Sequence, residues 1–284
     1  MSKKKGANKF LAGIRSHDED EATRPVTTGP RSVRQKLRLL LFVFALILWT
    51  GFCFLFSQYF VAFISMRVLG FSSAQLQEPL NLAIYDLIVY SLMVFLNVGL
   101  PYLFFKTHKI PKKYKDLKIT CENLGLTNLP TWTDIGLAPV GLIVYFILAA
   151  ILTGLFAAIF PWFDANQAQD VGFNSFYSGF DRLAAFFVLV VIAPIAEEII
   201  FRGWLYGKLR ILISKKFSLP ASILIVSALF GFLHLQWNVG VNVFCLSLVL
   251  CALREITGNI HSGILLHMLK NGFAFYLLYV INMI

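Results

Sequence analysis

Residues 183–204, LAAFFVLVVIAPIAEEIIFRGW, decide the fold class of this chain. The stretch is apolar over a length that crosses about 30 Å of hydrocarbon as a helix, yet it contains Glu197, Glu198 and Arg202. A charged side chain at the centre of a bilayer costs about 3 kcal/mol or more, and such residues are retained mainly for function. We therefore predict a membrane-spanning helix that holds part of a functional site.

The rest of the chain has the composition of an integral membrane protein. Hydrophobic residues make up 58% of its 284 residues and charged residues 14%, whereas a soluble domain has about 25% charged residues. Six further apolar segments are visible, at about residues 39–64, 80–105, 136–160, 219–235, 239–253 and 264–284. The predicted fold class is all-α: a polytopic transmembrane helical bundle of about seven hydrophobic segments (six to eight), surrounded by membrane lipids.

The net charge of +10 is explained by where the Lys and Arg residues lie. They cluster in the first 38 residues, at 106–118 and at 208–216, between apolar segments that alternate across the membrane. The positive-inside rule places such clusters in the cytoplasm, so we predict a multi-pass protein with a cytoplasmic N-terminus. A nucleic-acid partner would instead need a basic patch on one face of a folded domain, and we predict none.

Three parts of the chain differ in character. Residues 1–38 mix acidic and basic side chains without periodicity, which predicts a disordered cytoplasmic arm. Residues 39–135 hold two predicted transmembrane helices and a Lys-rich cytoplasmic loop. Residues 136–284 hold the remaining apolar segments and all the motifs described below. The four cysteines show no metal-ligand spacing and add nothing to this division.

Two adjacent glutamates in the quoted stretch have different expected surroundings. Glu198 and Arg202 are four residues apart, so they lie on one helical face and are expected to form a buried ion pair. Glu197 is rotated by about 100° from Glu198 and lacks that partner. Pro194 frees a backbone carbonyl just before the pair and is expected to bend the helix. One carboxylate is therefore clamped and the other is available for chemistry.

Further polar residues occur at helical spacing in two later segments. His234 follows Phe230 by four positions, and Asn271 follows His267 by four. Gathered in one pocket, these residues supply a general base in Glu197, an imidazole that orients or activates water in His234, and donors for a developing oxyanion in His267 and Asn271. Hydrolysis of an amide needs this set of groups.

Each of these residues also has a structural explanation when it is taken alone. The Glu198–Arg202 pair is a clamp, a lone histidine in a span is often a packing residue, and Asn271 can hold two helices together. Lys270 is expected to extend toward the membrane surface or to contact backbone, and Asp86 is expected to be a structural hydrogen-bonding residue. The joint occurrence of costly groups in three segments favours a site.

The order of the motifs resembles that of a known family. Glu-Glu-x-x-x-Arg at 197–202, Phe-x-x-x-His at 230–234 and His-x-x-x-Asn at 267–271 resemble the three motifs of the CAAX prenyl protease and bacteriocin-processing family of intramembrane endopeptidases, also called CPBP or ABI. The resemblance covers about residues 136–284. Each motif alone is weak, and the three together in apolar segments are a strong signal.

The resemblance implies a role for each motif residue. Glu197, assisted by His234, would activate the water, His267 and Asn271 would form the oxyanion hole, and the Glu198–Arg202 pair would support them. The implied substrate is a prenylated CAAX-type C-terminus or a bacteriocin-like peptide, so the expected partner is a peptide or a lipidated peptide.

The resemblance leaves the involvement of a metal open. Members of the family are commonly described as metalloproteases, and a glutamate-dependent mechanism without a metal is also argued. Glu197, His234 and His267 would form a ligand set for Zn²⁺ or another divalent metal with an open fourth position. The chain has no His-Glu-x-x-His motif that would decide between the two.

Two other functions are compatible with the sequence. A catalytically silent membrane scaffold or immunity protein could keep the same fold, although it would not need four polar groups in lipid. A proton-coupled transporter could use Glu and His as a relay, and inverted repeats would favour it. No repeat is visible in the sequence.

Convergence of the predicted site residues sets a condition on the fold. His234 lies about 15 residues past the basic loop, or roughly 22 Å along a helix. It can reach the level of Glu197 only if the connection between the fourth and fifth segments extends beyond the membrane surface. We therefore predict a cytoplasmic helical hairpin at about residues 204–220.

Overall fold

The structure is a computed structural model that describes residues 33–108, 118–166, 172–173, 176, 178–213 and 215–281. Most of the predicted arm (residues 1–32), most of the predicted Lys-rich loop (residues 109–117) and the last three residues of the chain lie outside the described residues. The described part is helical and contains no β-strand. The predicted all-α class is confirmed.

Seven long helices in the described part follow the seven predicted segments. They are α1 (Leu37–Val68, in a helix that begins at Val33), α2 (Pro79–Thr107), α3 (Trp132–Ile159), α4 (Gly179–Leu212), α5 (Lys215–Phe232), α6 (Trp237–Thr257) and α7 (His261–Tyr279). By length and composition, α1, α2, α3, α4 and α6 can cross a membrane, while the apolar part of α5 is shorter (Phe217–Phe232) and α7 is not in this group. The chain is a polytopic helical membrane protein. The orientation of its N-terminus stays a prediction.

Local sequence signals fix where the helices begin. At the start of α3, Thr131 and Asp134 form a reciprocal capping box that satisfies two backbone N–H groups. Ser178 and Asp181 form the same motif at the start of α4. Pro79 occupies the first turn of α2, where its missing N–H removes no helical hydrogen bond.

Burial separates a central group of helices from a peripheral one. In an apolar stretch of 18 residues taken from each helix, 50% of the stretch in α4 and 61% of that in α6 are buried inside the protein. The corresponding fraction is 22% or less in α1, α2 and α3. α5 packs along α6, α3 packs on α6 and α7, and α2 packs on α4 with α1 beside it. The peripheral helices therefore expose broad apolar surfaces, which suit contact with lipid.

α4 departs from regular α-helical geometry around Pro194. A short α-helical piece, Ala193–Glu198, lies between two π-helical segments, Phe187–Ile192 and Ile199–Tyr206. In the π-helical pattern each carbonyl accepts from the N–H five residues later, as the carbonyl of Val188 accepts from Ala193. The next carbonyl in this register would need an N–H from Pro194, which has none. Such irregular turns are frequent at functional sites.

α4 and α5 are consecutive helices, separated by two residues inside the predicted hairpin region. α4 ends at Leu212 and α5 begins at Lys215. Fifteen residues separate Glu197 from the end of α4 and 19 separate the start of α5 from His234, and both side chains line the same cavity, so the chain returns to a similar level. Arg210 links the end of α4 to α5 and α6 with hydrogen bonds of 2.7 Å to Ser218 Oγ and 2.7 Å to Glu255 Oε1. Extension of this hairpin beyond the membrane surface stays a prediction.

The return of α5 to α6 brings two glycines together. A Cβ atom on Gly231 would lie 2.7 Å from the carbonyl oxygen of Gly240, and one on Gly240 would lie 3.0 Å from that of Gly231. Only glycine permits this approach of the two backbones. The contact lies near the turn that carries His234 and therefore helps to place that side chain.

Candidate active site

A cavity of about 310 Å³ collects the side chains that the three motifs predict. Its polar lining comes from α1, α2, α4, the α5–α6 turn and α7, and consists of Gln58, Asp86, Tyr90, Glu197, His234, His267, Lys270, Asn271 and Tyr279. Apolar side chains, among them Phe54, Phe201 and Phe230, complete the wall. All four residues predicted to be catalytic therefore face one space.

The Glu198–Arg202 pair lies behind this cavity as a buried clamp. Arg202 donates to Glu198 Oε1 at 2.9 Å, and neither side chain has any exposed surface. The guanidinium carbon also lies 4.6 Å from the ring centroid of Phe230, which adds a cation–π contact. The helical spacing correctly predicts this ion pair, because an i, i+4 contact is set by local geometry alone.

Glu197 faces the cavity and has different neighbours from those of Glu198. Its Oε1 accepts a hydrogen bond from the hydroxyl of Tyr90 at 3.3 Å, and its Oε2 lies 3.7 Å from Nε2 of His267. The residue is 8% exposed. No Arg or Lys in the described part forms an ion pair with it at salt-bridge distance. A carboxylate in this setting keeps a lone pair directed at the space where a water could bind.

His267 lies between the two glutamates. Its Nδ1 is 3.1 Å from Glu198 Oε1, and its Nε2 faces Glu197. An ionised carboxylate can only accept, so Nδ1 carries the hydrogen of this bond. Nε2 can then donate only when the ring is positively charged, and the carboxylates on either side balance that charge. The clamped Glu198 therefore sets the orientation and the tautomer of His267.

His234 is held in the opposite way, by a backbone carbonyl. Its Nδ1 lies 2.8 Å from the carbonyl oxygen of Phe230, which can only accept, so Nδ1 carries the hydrogen. In the neutral ring Nε2 then has a free lone pair that can accept a hydrogen bond from water. Leu235, the next residue, adopts a left-handed φ of 57°. Strained non-glycine positions of this kind cluster at functional sites.

Asn271 is fixed by the irregular backbone of α4. Its Nδ2 donates to the carbonyl oxygen of Leu189 at 2.9 Å. In the π-helical register the backbone partner of Leu189 would be Pro194, which has no N–H. The side chain of Asn271 thus satisfies a carbonyl that the proline leaves without a donor, and one amide hydrogen remains for other use. The sequence predicts that Pro194 leaves a backbone carbonyl without a donor, and in the structure the carbonyl of Leu189 accepts from Asn271 on α7.

The predicted metal ligands do not form a three-ligand group in this arrangement. Among the described residues, no set of three or more His, Cys, Asp or Glu side chains is positioned to hold a metal ion. Glu197 and His267 approach each other at 3.7 Å, but the Nδ1 atoms of both histidines are engaged by protein groups. Binding of Zn²⁺ or another divalent metal by Glu197, His234 and His267 stays a prediction.

Some of the cavity residues have no place in the three motifs. Tyr90 and Gln58 belong to no motif, and the sequence predicts structural or surface roles for Asp86 and Lys270. All four residues line the cavity. Asp86 and Tyr90 are four residues apart in an apolar span, so a polar pair at helical spacing was the available signal.

Comparison with protein families agrees with the resemblance seen in the motifs. Residues 179–273 match the family model described as type II CAAX prenyl endopeptidase Rce1-like. This segment is about a third of the chain and contains all six predicted catalytic and supporting residues. Neither the curated proteins nor the solved structures that were compared gave a match. The family resemblance is confirmed over this segment and supports an intramembrane endopeptidase of the CAAX type in general.

Proposed function

We propose that this protein is an intramembrane endopeptidase in which Glu197 activates the attacking water. One observation carries the proposal: a carboxylate that no Arg or Lys of the described residues pairs with shares a cavity with two imidazoles and an amide, inside the segment that matches an endopeptidase family. The neighbouring Glu198 is clamped by Arg202 and is therefore not the base. The two adjacent glutamates therefore have different roles because they have different contacts: Glu198 pairs with Arg202, and Glu197 accepts from Tyr90.

The reaction begins with a water between Glu197 and His234. The water donates one hydrogen bond to the carboxylate of Glu197 and one to Nε2 of His234, which directs its oxygen at the carbonyl carbon of the peptide. As the C–O bond forms, one water proton passes to Glu197. The carbonyl π electrons move to oxygen, which becomes the oxyanion of a tetrahedral intermediate.

His267 and Asn271 stabilise that intermediate. Nε2–H of the positively charged His267 and the remaining amide hydrogen of Asn271 donate to the oxyanion, and fixed donors of this kind need no reorganisation during the reaction. The intermediate collapses when the C–N bond breaks and protonated Glu197 transfers its proton to the leaving nitrogen. The products are an acid and an amine, and Glu197 returns to its ionised form.

The proposed substrate is a peptide that reaches the cavity from the membrane. The family description supports a prenylated CAAX-type C-terminus, and a bacteriocin-like peptide is the other candidate. Phe54, Phe201 and Phe230 line the cavity beside the catalytic groups and would accept apolar side chains.

Cleavage of quenched fluorescent peptides, including farnesylated CAAX peptides, tests this function. The detergent-purified wild type would be compared with Glu197→Gln, which removes the basic oxygen at nearly constant volume. Glu122→Gln is the matched control, because Glu122 is exposed and does not line the cavity. We expect cleavage by the wild type and the control and a loss of at least about 100-fold in Glu197→Gln.

Two results would contradict the proposal. Equal cleavage by all three proteins would show that Glu197 is not the base. No cleavage of any peptide by a folded wild type would favour the catalytically silent scaffold or immunity protein.

A further inference from the structure

We propose that Tyr90 is a positioning residue for Glu197, so that the N-terminal pair of helices completes the catalytic site. The proposal rests on the role of Glu197 as the base. Tyr90 lies on α2, well before the segment that matches the endopeptidase family and before the predicted core at 136–284. Neither the motifs nor the family match therefore includes it.

The contact between Tyr90 and Glu197 is the main support. The hydroxyl of Tyr90 donates to Glu197 Oε1 at 3.3 Å, and this is the one hydrogen bond to that carboxylate within the described part of the chain. The other oxygen lies 3.7 Å from His267 Nε2, beyond hydrogen-bonding distance. One carboxylate oxygen is therefore anchored and the second is free to take a proton from water.

The base needs such an anchor because a glutamate side chain has three rotatable bonds. Displacement of a catalytic group by about 1 Å can cost about 100-fold in rate. α2 packs directly on α4, and Val89 and Met93 beside Tyr90 are each 1% exposed, so the helix that carries the phenol is fixed by packing. Because the ring of Tyr90 is rigid, its hydrogen bond restricts the rotation of the Glu197 side chain.

A neutral donor suits this task better than a cation. The charged and titratable groups that face Glu197 from the surrounding helices, or share its cavity, are Asp86, Tyr90, His234, His267, Lys270 and Tyr279. Arg202 holds Glu198 in an ion pair, which keeps that carboxylate from acting as a base. The phenol of Tyr90 holds Glu197 Oε1 in place without adding a positive charge, and Oε2 is left able to accept a proton.

The sequence of α2 contains a second sign that this helix belongs to the site. Asp86 lies four residues before Tyr90 and therefore one helical turn away on the same face. Both side chains line the cavity, although most of the residues of this span are apolar. A membrane helix that only faced lipid would have no use for this polar stripe.

Tyr90→Phe tests the inference, because it removes the hydroxyl and little else. Tyr85→Phe is the matched control: Tyr85 is on the same helix, and its hydroxyl donates to the carbonyl oxygen of Gln58 at 2.8 Å instead. We expect Tyr90→Phe to lower kcat about ten-fold, with KM changed less than about two-fold. Tyr85→Phe should retain the wild-type kcat, and both variants should lower the unfolding temperature by a similar small amount, because each loses one hydrogen bond.

Each other outcome has a definite meaning. A wild-type kcat in Tyr90→Phe, an equal loss in Tyr85→Phe, or a loss matched by an equal drop in folded protein would overturn the positioning role. If Glu197→Gln cleaves normally, the base itself is wrong. If Glu197→Gln is inactive while Tyr90→Phe is unimpaired, only the role of Tyr90 fails.

Discussion

Removal of Arg202 is expected to be one of the most destabilising single changes in the protein. In Arg202→Met the carboxylate of Glu198 loses its 2.9 Å partner and stays in a site with no exposed surface. Breaking one side of a buried ion pair costs about 3–5 kcal/mol when the other charge is left uncompensated. The hydrogen bond from His267 Nδ1 to Glu198 Oε1 at 3.1 Å remains, so we expect a cost near the lower end of this range. Loss of the cation–π contact with Phe230 at 4.6 Å adds about 1 kcal/mol.

A double-mutant cycle separates the ion pair from simple loss of packing. Glu198→Gln combined with Arg202→Met removes both charges, and the double variant should be about 2 kcal/mol or more closer to wild type than the sum of the two single losses. The measurement is reversible unfolding in mixed detergent micelles, followed by far-UV circular dichroism. A cost below about 1 kcal/mol for Arg202→Met, or strict additivity, would refute the buried clamp.

Two further predictions concern backbone contacts near the site. Asn271→Ala should lower kcat about 100-fold and destabilise the fold by about 1–3 kcal/mol, because the Leu189 carbonyl loses its donor. Adding Pro194→Ala supplies a backbone N–H and should restore stability without restoring kcat; recovery of both would limit Asn271 to a structural role. Gly231→Ala should cost about 1–3 kcal/mol in thermal unfolding, because its Cβ would lie 2.7 Å from a carbonyl oxygen. Gly154→Ala, where a Cβ has no neighbour within 4 Å, is the control and should show no loss.

The N-terminal helices contribute to the same cavity as the residues of the three motifs. The motifs predict that the four catalytic residues all lie within residues 136–284. The cavity that they face is closed on one side by α1 and α2, which contribute Phe54, Gln58, Asp86 and Tyr90. Substitutions in the N-terminal helices are therefore expected to affect catalysis as well as stability.

The sequence alone determined the features that depend on local geometry and on the cost of burial. Long apolar blocks are sufficient to predict the membrane helices, because hydrocarbon accepts few other structures. Spacing of four residues is sufficient to predict the Glu198–Arg202 ion pair, because such residues are neighbours on any helix. The order of the three motifs was sufficient to indicate the family over 179–273.

The contacts between side chains of different helices depend on tertiary packing and could not be predicted from the sequence alone. Tyr90 and Glu197 are 107 residues apart, and their contact depends on how α2 is rotated against α4. The position of His267 between two glutamates and the bond from Asn271 to Leu189 depend in the same way on the packing of α7. Helical periodicity gives the face on which a side chain lies, but the neighbour that this face meets is set by the packing of side chains from the whole bundle.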